Sequence, residues 1–437
     1  MSKKGLALCG GGAKGSYEAG CFKAFRELGL SFDIVTGTSI GALNGAMYCQ
    51  HEEDRAIELW NRITANMIIK YGFNFDRLDV LNGFKNDKNS LSFLFQYLTN
   101  RGSDVGPLKK LFKQYINTDK IINSDVQFGI VTAEFPQMKG VEVLANKLDE
   151  PLIEQYILAS ASAWPVFPVC KIEDKQYVDG GYYDNLPINF AFKLGSDEVV
   201  AIDLNYSPMH KEYLGLDMVK YIRPRHNLGG FMKFEHEQIM QNMDLGYLDC
   251  MKAYKKYKGY YHTFYLDNFD FNFSSLKDRI IEIYSAFNKN GAKYSKKADP
   301  NITIFDKLKE YIDSDTLTSE IMFIRSVEIL STFFDISYYK AYNIIDFINL
   351  LVKNTEKLIY KDEIDKALAK AKTVDKKKDI IDKYSSQDIL RYYFEFIKND
   401  THININQLTL LYSTKLDVLI SILVLEFIFK EVLSDNK

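Results

Sequence analysis

The chain has few of the features that mark secreted or metal-binding proteins. Its five cysteines are odd in number and scattered, without a Cys-x-x-Cys pair, which argues against both a disulfide framework and a zinc site. The amino terminus leads directly into a short apolar segment, residues 5–9, that is too short for the core of a signal peptide. We therefore expect a protein of the reducing cytoplasm.

Long hydrophobic runs and excess charge are also missing. The most apolar segment, Val418–Phe429, is interrupted by Glu426 and falls short of the roughly 20 residues that span a bilayer. Two hypotheses remain for it: a buried core helix, or a helix that docks on a membrane from one side. A net charge of -3 provides no electrostatic case for nucleic-acid binding.

The first two hundred residues alternate between β-like and α-like hydrophobic periods. This alternation predicts an α/β domain with a mainly parallel central sheet covered by helices on both faces. The predicted strands are Gly5–Cys9, Phe32–Thr36, Gln127–Thr132, Val141–Leu144 and Glu198–Leu204, and the predicted helices are Ala13–Leu28, Ile40–His51 and Pro151–Ser162.

Two regions depart from this alternation. Residues Asn61–Asn117 are rich in aromatics, Asn, Gly and Lys, which suits an insertion near the site. From about residue 270 onward the pattern is helical, so we predict a first domain over 1–268 and an all-α carboxy-terminal domain over 269–437. Its predicted helices are Leu276–Phe287, Thr303–Ile312, Ser319–Phe334, Tyr338–Val352, Lys361–Ala371, Ser386–Ile397 and Gln407–Leu433.

The motif GTSIG, Gly37–Gly41, lies between a β-like and a helix-like run. A Gly-x-Ser-x-Gly at a strand-to-helix junction describes a nucleophile elbow, in which the flanking glycines allow a turn sharp enough to expose a serine hydroxyl. Ser39 is therefore a candidate nucleophile, supported by Gly37 and Gly41.

A glycine-rich turn, GGGAKG over Gly10–Gly15, follows the first predicted strand. As a dinucleotide fingerprint it needs an acid at the end of the second strand, but Asp33 lies near the start of that strand. As a phosphate loop it fails, because Ser16 stands where a lysine is required. As an oxyanion hole it fits well, since unhindered backbone N–H groups at a helix start can face a developing negative charge.

The general base is not evident among the six histidines, none of which follows a predicted strand end. Ser39 also comes after only two strands, unlike the serine of an α/β-hydrolase. The run Tyr177–Gly181 offers an alternative, because a β-like segment there ends in Asp179, Gly180 and Gly181. Asp-Gly-Gly alone is a common turn, so this motif gains meaning only beside the other two.

The three motifs together, in this order, resemble the signature of the patatin-like phospholipases. The segments Ala159–Pro168 and Asp179–Pro187 also resemble the family's small-residue helix and its catalytic-acid segment. The resemblance covers residues 5–205 clearly and the 220s to 265 more weakly. It implies the patatin-like three-layer fold.

The resemblance also implies a Ser-Asp dyad, with Ser39 as nucleophile and Asp179 as the base. Backbone N–H groups of Gly10, Gly11 and Gly12, helped by the amide of Ile40, would form the oxyanion hole. Supporting positions of the motifs are Ala13, Lys14, Gly15, Gly37, Gly41, Gly180 and Gly181, with Lys14 standing where many family members carry arginine. Because a free aspartate is a weak base, the site around Asp179 is expected to be poorly hydrated.

The function implied is serine-dependent cleavage of ester bonds in phospholipids or related lipids, through an acyl-enzyme. No metal or other cofactor is expected, and the partner is a lipid substrate at a membrane surface. The carboxy-terminal domain is left open as a contact for a regulatory protein or a second copy of the chain. A nucleotide-binding protein and a catalytically idle interaction scaffold remain as alternatives.

Overall fold

The computed structural model describes residues 2–68, 105–267, 271–290, 302–313 and 316–433. The chain divides into two compact units, Met1–Lys255 and Lys256–Lys437. The predicted boundary between 268 and 269 falls inside the second unit. Much of the predicted insertion at Asn61–Asn117 lies outside the described residues, although its last part, from 106 to 115, is a helix.

A mixed eight-stranded sheet forms the centre of the first unit, and its strands run in the order β5-β6-β3-β2-β1-β7-β8, with β4 paired to β3. Within the described residues, four of its seven strand pairs are parallel, so the predicted mainly parallel sheet is confirmed. The strands are β1 Lys4–Leu8, β2 Ile34–Thr38, β3 Gln127–Phe135, β4 Lys139–Leu144, β5 Cys170–Ile172, β6 Lys175–Asp179, β7 Glu198–Ile202 and β8 Val219–Ile222.

Helices cover both faces of this sheet. Successive residues of a strand face opposite sides, and in β3 a Cβ on Gly129 would touch Phe190, whereas the neighbouring Phe128 lies against Gly45. Phe190 and Gly45 belong to different helices, so the unit has the predicted three layers. The helices are α1 Ser16–Leu28, α2 Ile40–Cys49, α3 Glu53–Arg62, α4 Gly106–Tyr115, α5 Thr118–Ile122, α6 Glu150–Ser160, α7 Ile188–Lys193 and α8 His236–Ala253.

The second unit is helical, apart from a two-residue parallel pairing of β9 Thr263–Phe264 with β10 Ala341–Tyr342. Its core is one continuous cluster of aliphatic and aromatic side chains. The helices are α9 Ser274–Asn290, α10 Ile304–Lys309, α11 Ser319–Ser331, α12 Ile344–Lys357, α13 Asp362–Lys370, α14 Val374–Lys383, α15 Ser386–Lys398, α16 Ile405–Tyr412 and α17 Leu416–Phe427, followed by a π-helical turn, Ile428–Val432.

The apolar segment Val418–Phe429 lies largely in α17. Its aliphatic side chains from Val418 to Leu425 are almost completely buried in the core of the second unit. The core-helix hypothesis is therefore confirmed. No helix within the described part of the chain is both long and apolar enough to cross a bilayer.

Two of the predicted helices differ from the structure. The segment Gln407–Leu433 is not one helix, because the chain breaks between α16 and α17, where the hydroxyls of Ser413 and Thr414 donate to the carbonyl of Leu410. Such back-bonding by Ser and Thr competes with helix continuation. The helix predicted from Tyr338 begins only at Ile344, after the side chain of Asn343 caps it.

Candidate active site

Ser39 lies at the junction of β2 and α2 in a strained backbone conformation. Its φ is 56° and its ψ is -122°, a region that non-glycine residues rarely adopt. The turn is possible only with glycines beside it. A Cβ on Gly37 would lie 2.3 Å from the carbonyl oxygen of Gly41, and one on Gly41 would lie 2.5 Å from that of Leu8. This is the geometry of a nucleophile elbow.

The backbone of Ser39 is held by the end of α6. The N–H of Ser39 donates to the hydroxyl of Ser160 at 2.9 Å, and this hydroxyl donates to the carbonyl of Val131 at 2.6 Å. Two residues later, the carbonyl of Ser162 accepts from the N–H of Asp179 at 2.9 Å. The small-residue segment Ala159–Pro168 thus supports both Ser39 and Asp179, a role for Ser160 that the sequence did not reveal.

Strand register explains why Asp179 comes close to Ser39. The last residue of β2, Thr38, is opposite Val131 of β3, and Asp179, the last residue of β6, is opposite the next residue, Thr132. Because β4 occupies the other edge of β3, β2 and β6 share one edge and meet end to end. Ser39 directly follows the end of β2, so the two side chains are brought together.

Gly180 and Gly181 shape the turn that presents the Asp179 carboxylate. A Cβ on Gly180 would lie 2.2 Å from the carbonyl oxygen of Val131, so only glycine fits this close approach. The N–H of Gly181 donates to Oδ1 of Asp179 at 2.8 Å. Gly180 therefore allows the close approach of this turn to β3, and Gly181 donates a hydrogen bond to the carboxylate.

The Asp179 carboxylate is buried, with 7% of the residue exposed. Burial raises the pKa of Asp179 from 3.8 to about 6, against the opposing effects of hydrogen bonds from Ser39 and from the N–H of Gly181. At neutral pH the group is therefore mainly ionised, yet it is a stronger base than an exposed aspartate. This environment agrees with the poorly hydrated site expected from the sequence.

The glycine turn is fixed at two points. The N–H of Gly10 donates to the carbonyl of Asn185 at 2.9 Å, and the N–H of Ala13 donates to that of Phe231 at 2.6 Å. Gly12 has a φ of 58°, and a Cβ there would lie 2.1 Å from the Phe231 carbonyl oxygen. Asn185 and Phe231 are far from this turn in sequence, and no local signal could have indicated them.

The donors at this turn differ from the expectation in one respect. Gly10 was expected to offer its N–H to an oxyanion, but that group already donates to Asn185, because β1 ends against the Asn185 backbone. No backbone hydrogen bond of the described residues uses the N–H of Gly11 or Gly12. The N–H of Ile40 is the first amide of α2 and has no acceptor within its helix. The available donors are therefore Gly11, Gly12 and Ile40.

The remaining motif positions build the start of α1. Ala13 and Gly15 are buried and Lys14 is half-buried in a 3-10 turn, Gly12–Gly15, that leads into the helix. A Cβ on Gly15 would lie 2.6 Å from Cγ1 of Ile40, so this glycine lets the turn pack closely on the start of α2.

A buried carboxyl lies beneath this turn, which the sequence analysis missed. Oε2 of Glu18 accepts from Nδ2 of Asn44 at 2.7 Å, and the same nitrogen donates to the carbonyl of Gly15 at 3.0 Å. Nε1 of Trp60 donates to Oδ1 of Asn44 at 3.0 Å. Burial raises the pKa of Glu18 to about 8, so this group is mostly neutral at pH 7. It supports the turn without adding charge.

Two further observations bear on the alternatives to this site, which are a nucleotide-binding turn and a histidine base. Asp33 accepts from the N–H of Lys4 at the start of β2, at the opposite end of the strand from Ser39. It is therefore not where an acid would bind the ribose of a nucleotide held by the glycine turn. His51 and His210 are paired with the carboxylates of Asp125 and Glu212.

Comparison with known proteins agrees with this arrangement. Residues 6–192 match the family described as patatin-like phospholipase. This match agrees with the resemblance that the motifs indicated. The matched range includes Ser39, Asp179 and the glycine turn.

Among curated proteins, the chain is similar to a lysophospholipase of Neurospora crassa, at 30% identity, and to one of Chaetomium globosum, at 31%. Each match covers 46% of this chain and 12% of the relative, so the chain spans only a small part of these relatives.

Among solved structures, VipD from Legionella pneumophila matches over 96% of this chain and 92% of its own, at 14% identity and a TM-score of 0.39. The type III effector ExoU matches over 91% and 80%, at 14% identity and a TM-score of 0.31.

Proposed function

We propose that this protein is a lipid acyl hydrolase that cleaves ester bonds of phospholipids or related lipids with Ser39 and Asp179. The observation that carries the proposal is the meeting of β2 and β6 on one edge of β3, which brings a serine on a strained elbow beside a buried aspartate. Similarity of part of the chain to lysophospholipases supports a lipid ester as substrate.

In the first half of the reaction, Oγ of Ser39 attacks the ester carbonyl carbon while its proton passes to the Asp179 carboxylate. The carbonyl oxygen becomes an oxyanion, which the N–H groups of Gly11, Gly12 and Ile40 stabilise. Collapse of this intermediate breaks the ester C–O bond, and the leaving alcohol takes the proton from Asp179. The product is an acyl group on Ser39.

In the second half, Asp179 accepts a proton from water, and the resulting hydroxide oxygen bonds to the acyl carbon. Collapse breaks the bond to Ser39 Oγ, which regains the proton from Asp179 as the fatty acid leaves. The raised pKa of Asp179 suits both directions of proton transfer, because catalysis is most efficient when the pKa of the base is close to the working pH.

We further propose action at the surface of a membrane from the cytoplasm. All five cysteines are free thiols, four of them buried, which suits a reducing compartment. We also propose that a regulatory partner or a second copy of the chain binds through the helical unit. Two further proposals are that the reaction requires no metal and that the functional division lies between residues 268 and 269.

The experiment is hydrolysis by the full chain of phospholipid vesicles and of a short-chain soluble ester. Ser39→Ala should lower the rate on both by roughly 10⁴-fold or more, as loss of a catalytic nucleophile does. The matched control is Ser31→Ala, which changes an exposed serine shortly before the start of β2 and should leave the rate at the wild-type value. An active Ser39→Ala variant would contradict the nucleophile assignment, and a wild-type chain inactive on both substrates would favour the scaffold alternative.

A further inference from the structure

Asn185 holds the glycine turn by two hydrogen bonds that run in opposite directions. Its carbonyl accepts from the N–H of Gly10, and its Nδ2 donates to the carbonyl of Gly10, each at 2.9 Å. The peptide groups on both sides of Gly10 are therefore tied to one residue. Since the next two residues are Gly11 and Gly12, Asn185 sets where the proposed oxyanion donors begin.

The same side chain is wedged between the glycine turn and the turn after Asp179. A Cβ on Gly10 would lie 2.2 Å from Oδ1 of Asn185 and 3.1 Å from Cβ of Ser39. A Cβ on Gly181 would lie 2.9 Å from Oδ1 of Asn185 and 3.1 Å from Oδ1 of Asp179. The amide therefore spaces the two turns, with Ser39 and Asp179 at the edges of the contact.

We propose that Asn185 is a positioning residue, which sets the distance between the oxyanion donors and the Ser39-Asp179 pair. The inference rests on the proposed function. The short segment 179–185 then carries both the proposed base, Asp179, and the residue that fixes the glycine turn, Asn185. The oxyanion donors and the Ser39-Asp179 pair are therefore kept at a fixed separation. Nothing in this role requires Asn185 to touch the substrate.

The chemistry of the amide makes the role specific to asparagine. The Gly10 carbonyl needs a donor, and Nδ2 supplies it, while Oδ1 fills the space between the two turns. Aspartate has nearly the same shape, but it would place an acceptor against the Gly10 carbonyl and a negative charge beside the developing oxyanion. Alanine would lose the donor without adding repulsion.

The test compares Asn185→Ala and Asn185→Asp in the full chain on a short-chain soluble ester, with kcat expressed per site labelled by a fluorophosphonate. We expect Asn185→Ala to lower kcat about 100-fold, as loss of oxyanion stabilisation does, with KM within about twofold. Asn185→Asp should lower kcat by about another tenfold. The matched control is Asn189→Ala, an exposed asparagine on α7 that accepts from the Tyr213 hydroxyl, which should leave kcat unchanged.

A merely structural role has a different signature. It would lower the melting temperature and the labelled fraction of both variants while kcat per labelled site stayed within about threefold of the wild type, and it would make the isosteric Asn185→Asp the milder change. Either result overturns the inference while the proposed function stands. Full hydrolysis by Ser39→Ala in the same assay would instead overturn the proposed function, and this inference with it.

Discussion

Asp179 in the first unit and Glu328 in the second are both buried carboxylates, but their partners differ. Oε1 of Glu328 accepts from three successive backbone N–H groups, those of Tyr260, Tyr261 and His262, at 2.7, 2.8 and 3.0 Å. Its Oε2 forms a buried ion pair with Arg325. Asp179 has one backbone donor, the N–H of Gly181, and lies beside the hydroxyl of Ser39.

This contrast shows that burial alone does not identify a reactive group. Glu328 is surrounded by donors and a counter-charge, all supplied by its own unit, so it stabilises the packing of α11 against the chain before it. Among the described residues, Asp179 has no cation as a hydrogen-bond partner, and it faces a strained serine, so its charge is kept at a cost in folding energy. The difference lies in how completely each carboxylate is compensated, and it can be tested by substitution.

The largest expected effect is on the chemistry of the first unit. Asp179→Asn keeps the shape of the side chain but removes the proton acceptor, so kcat on a soluble ester should fall by about 10⁴-fold. The control is Asp174→Asn, an exposed aspartate in the turn that opens β6, which should behave as the wild type. Retention of more than a tenth of the activity by Asp179→Asn would show that another group acts as the base.

The next effect is on the stability of the second unit. Glu328→Gln removes the counter-charge of Arg325, which is 1% exposed, and should destabilise the unit by about 3–5 kcal/mol. The control is Glu320→Gln on the same helix, whose ion pair with Lys258 is partly exposed and should contribute at most about 1 kcal/mol. Denaturant unfolding measures both variants, and equal small effects would contradict the distinct role of Glu328.

A third effect concerns the stability of the first unit as a function of pH. The folded pKa of Asp179, about 6, lies above the ordinary value of 3.8, so its contribution to stability is complete below pH 3.8 and is lost as the pH rises through 6. The difference between these two pKa values corresponds to about 3 kcal/mol. Asp179→Asn should thus match the wild type near pH 4 and be more stable by up to about 3 kcal/mol at pH 8.

Denaturant unfolding at pH 4, 6 and 8 measures this difference, with Asp174→Asn as the reference. A stability gain that is the same at all three pH values would contradict a cost that arises from charge at Asp179. A loss of stability at pH 8 would show that the ionised form is favoured by the fold.

The smallest expected effect is that of the histidines. His51→Gln breaks an exposed pair with Asp125, and His210→Gln breaks the pairs of a half-buried histidine with Glu212 and Asp184. Each variant should change kcat by less than about tenfold, or about 1.4 kcal/mol. A loss from either variant as large as that of Asp179→Asn would replace the dyad with a triad.

The sequence predicted the parts of this molecule that depend on local signals. The elbow at Ser39 follows from glycines two residues away on each side, and most helices and strands follow from hydrophobic periodicity. The proximity of Asp179 to Ser39 depends on strand register, and only the family resemblance indicated it. Ser160, Asn185 and Phe231 act through contacts distant in sequence, so no spacing could have predicted their roles.

The hydrogen bond from the N–H of Gly10 to the carbonyl of Asn185 could not be inferred for the same reason, since Asn185 is remote in the chain. The break between α16 and α17 was missed because a continuous apolar period hid two hydroxyl residues, Ser413 and Thr414. Hydrophobic periodicity thus does not reveal hydrogen bonds between residues that are distant in sequence. It also does not reveal side-chain hydroxyls that compete with the hydrogen bonds of a helix.

The most direct test of the account is covalent labelling of the full chain with a fluorophosphonate, followed by digestion and mass mapping of the modified residue. We predict a single adduct on Ser39 in the wild type, none in Ser39→Ala, and labelling of Asp179→Asn slowed by several orders of magnitude. An adduct on any other residue, or labelling of Asp179→Asn at the wild-type rate, would contradict the Ser39-Asp179 site.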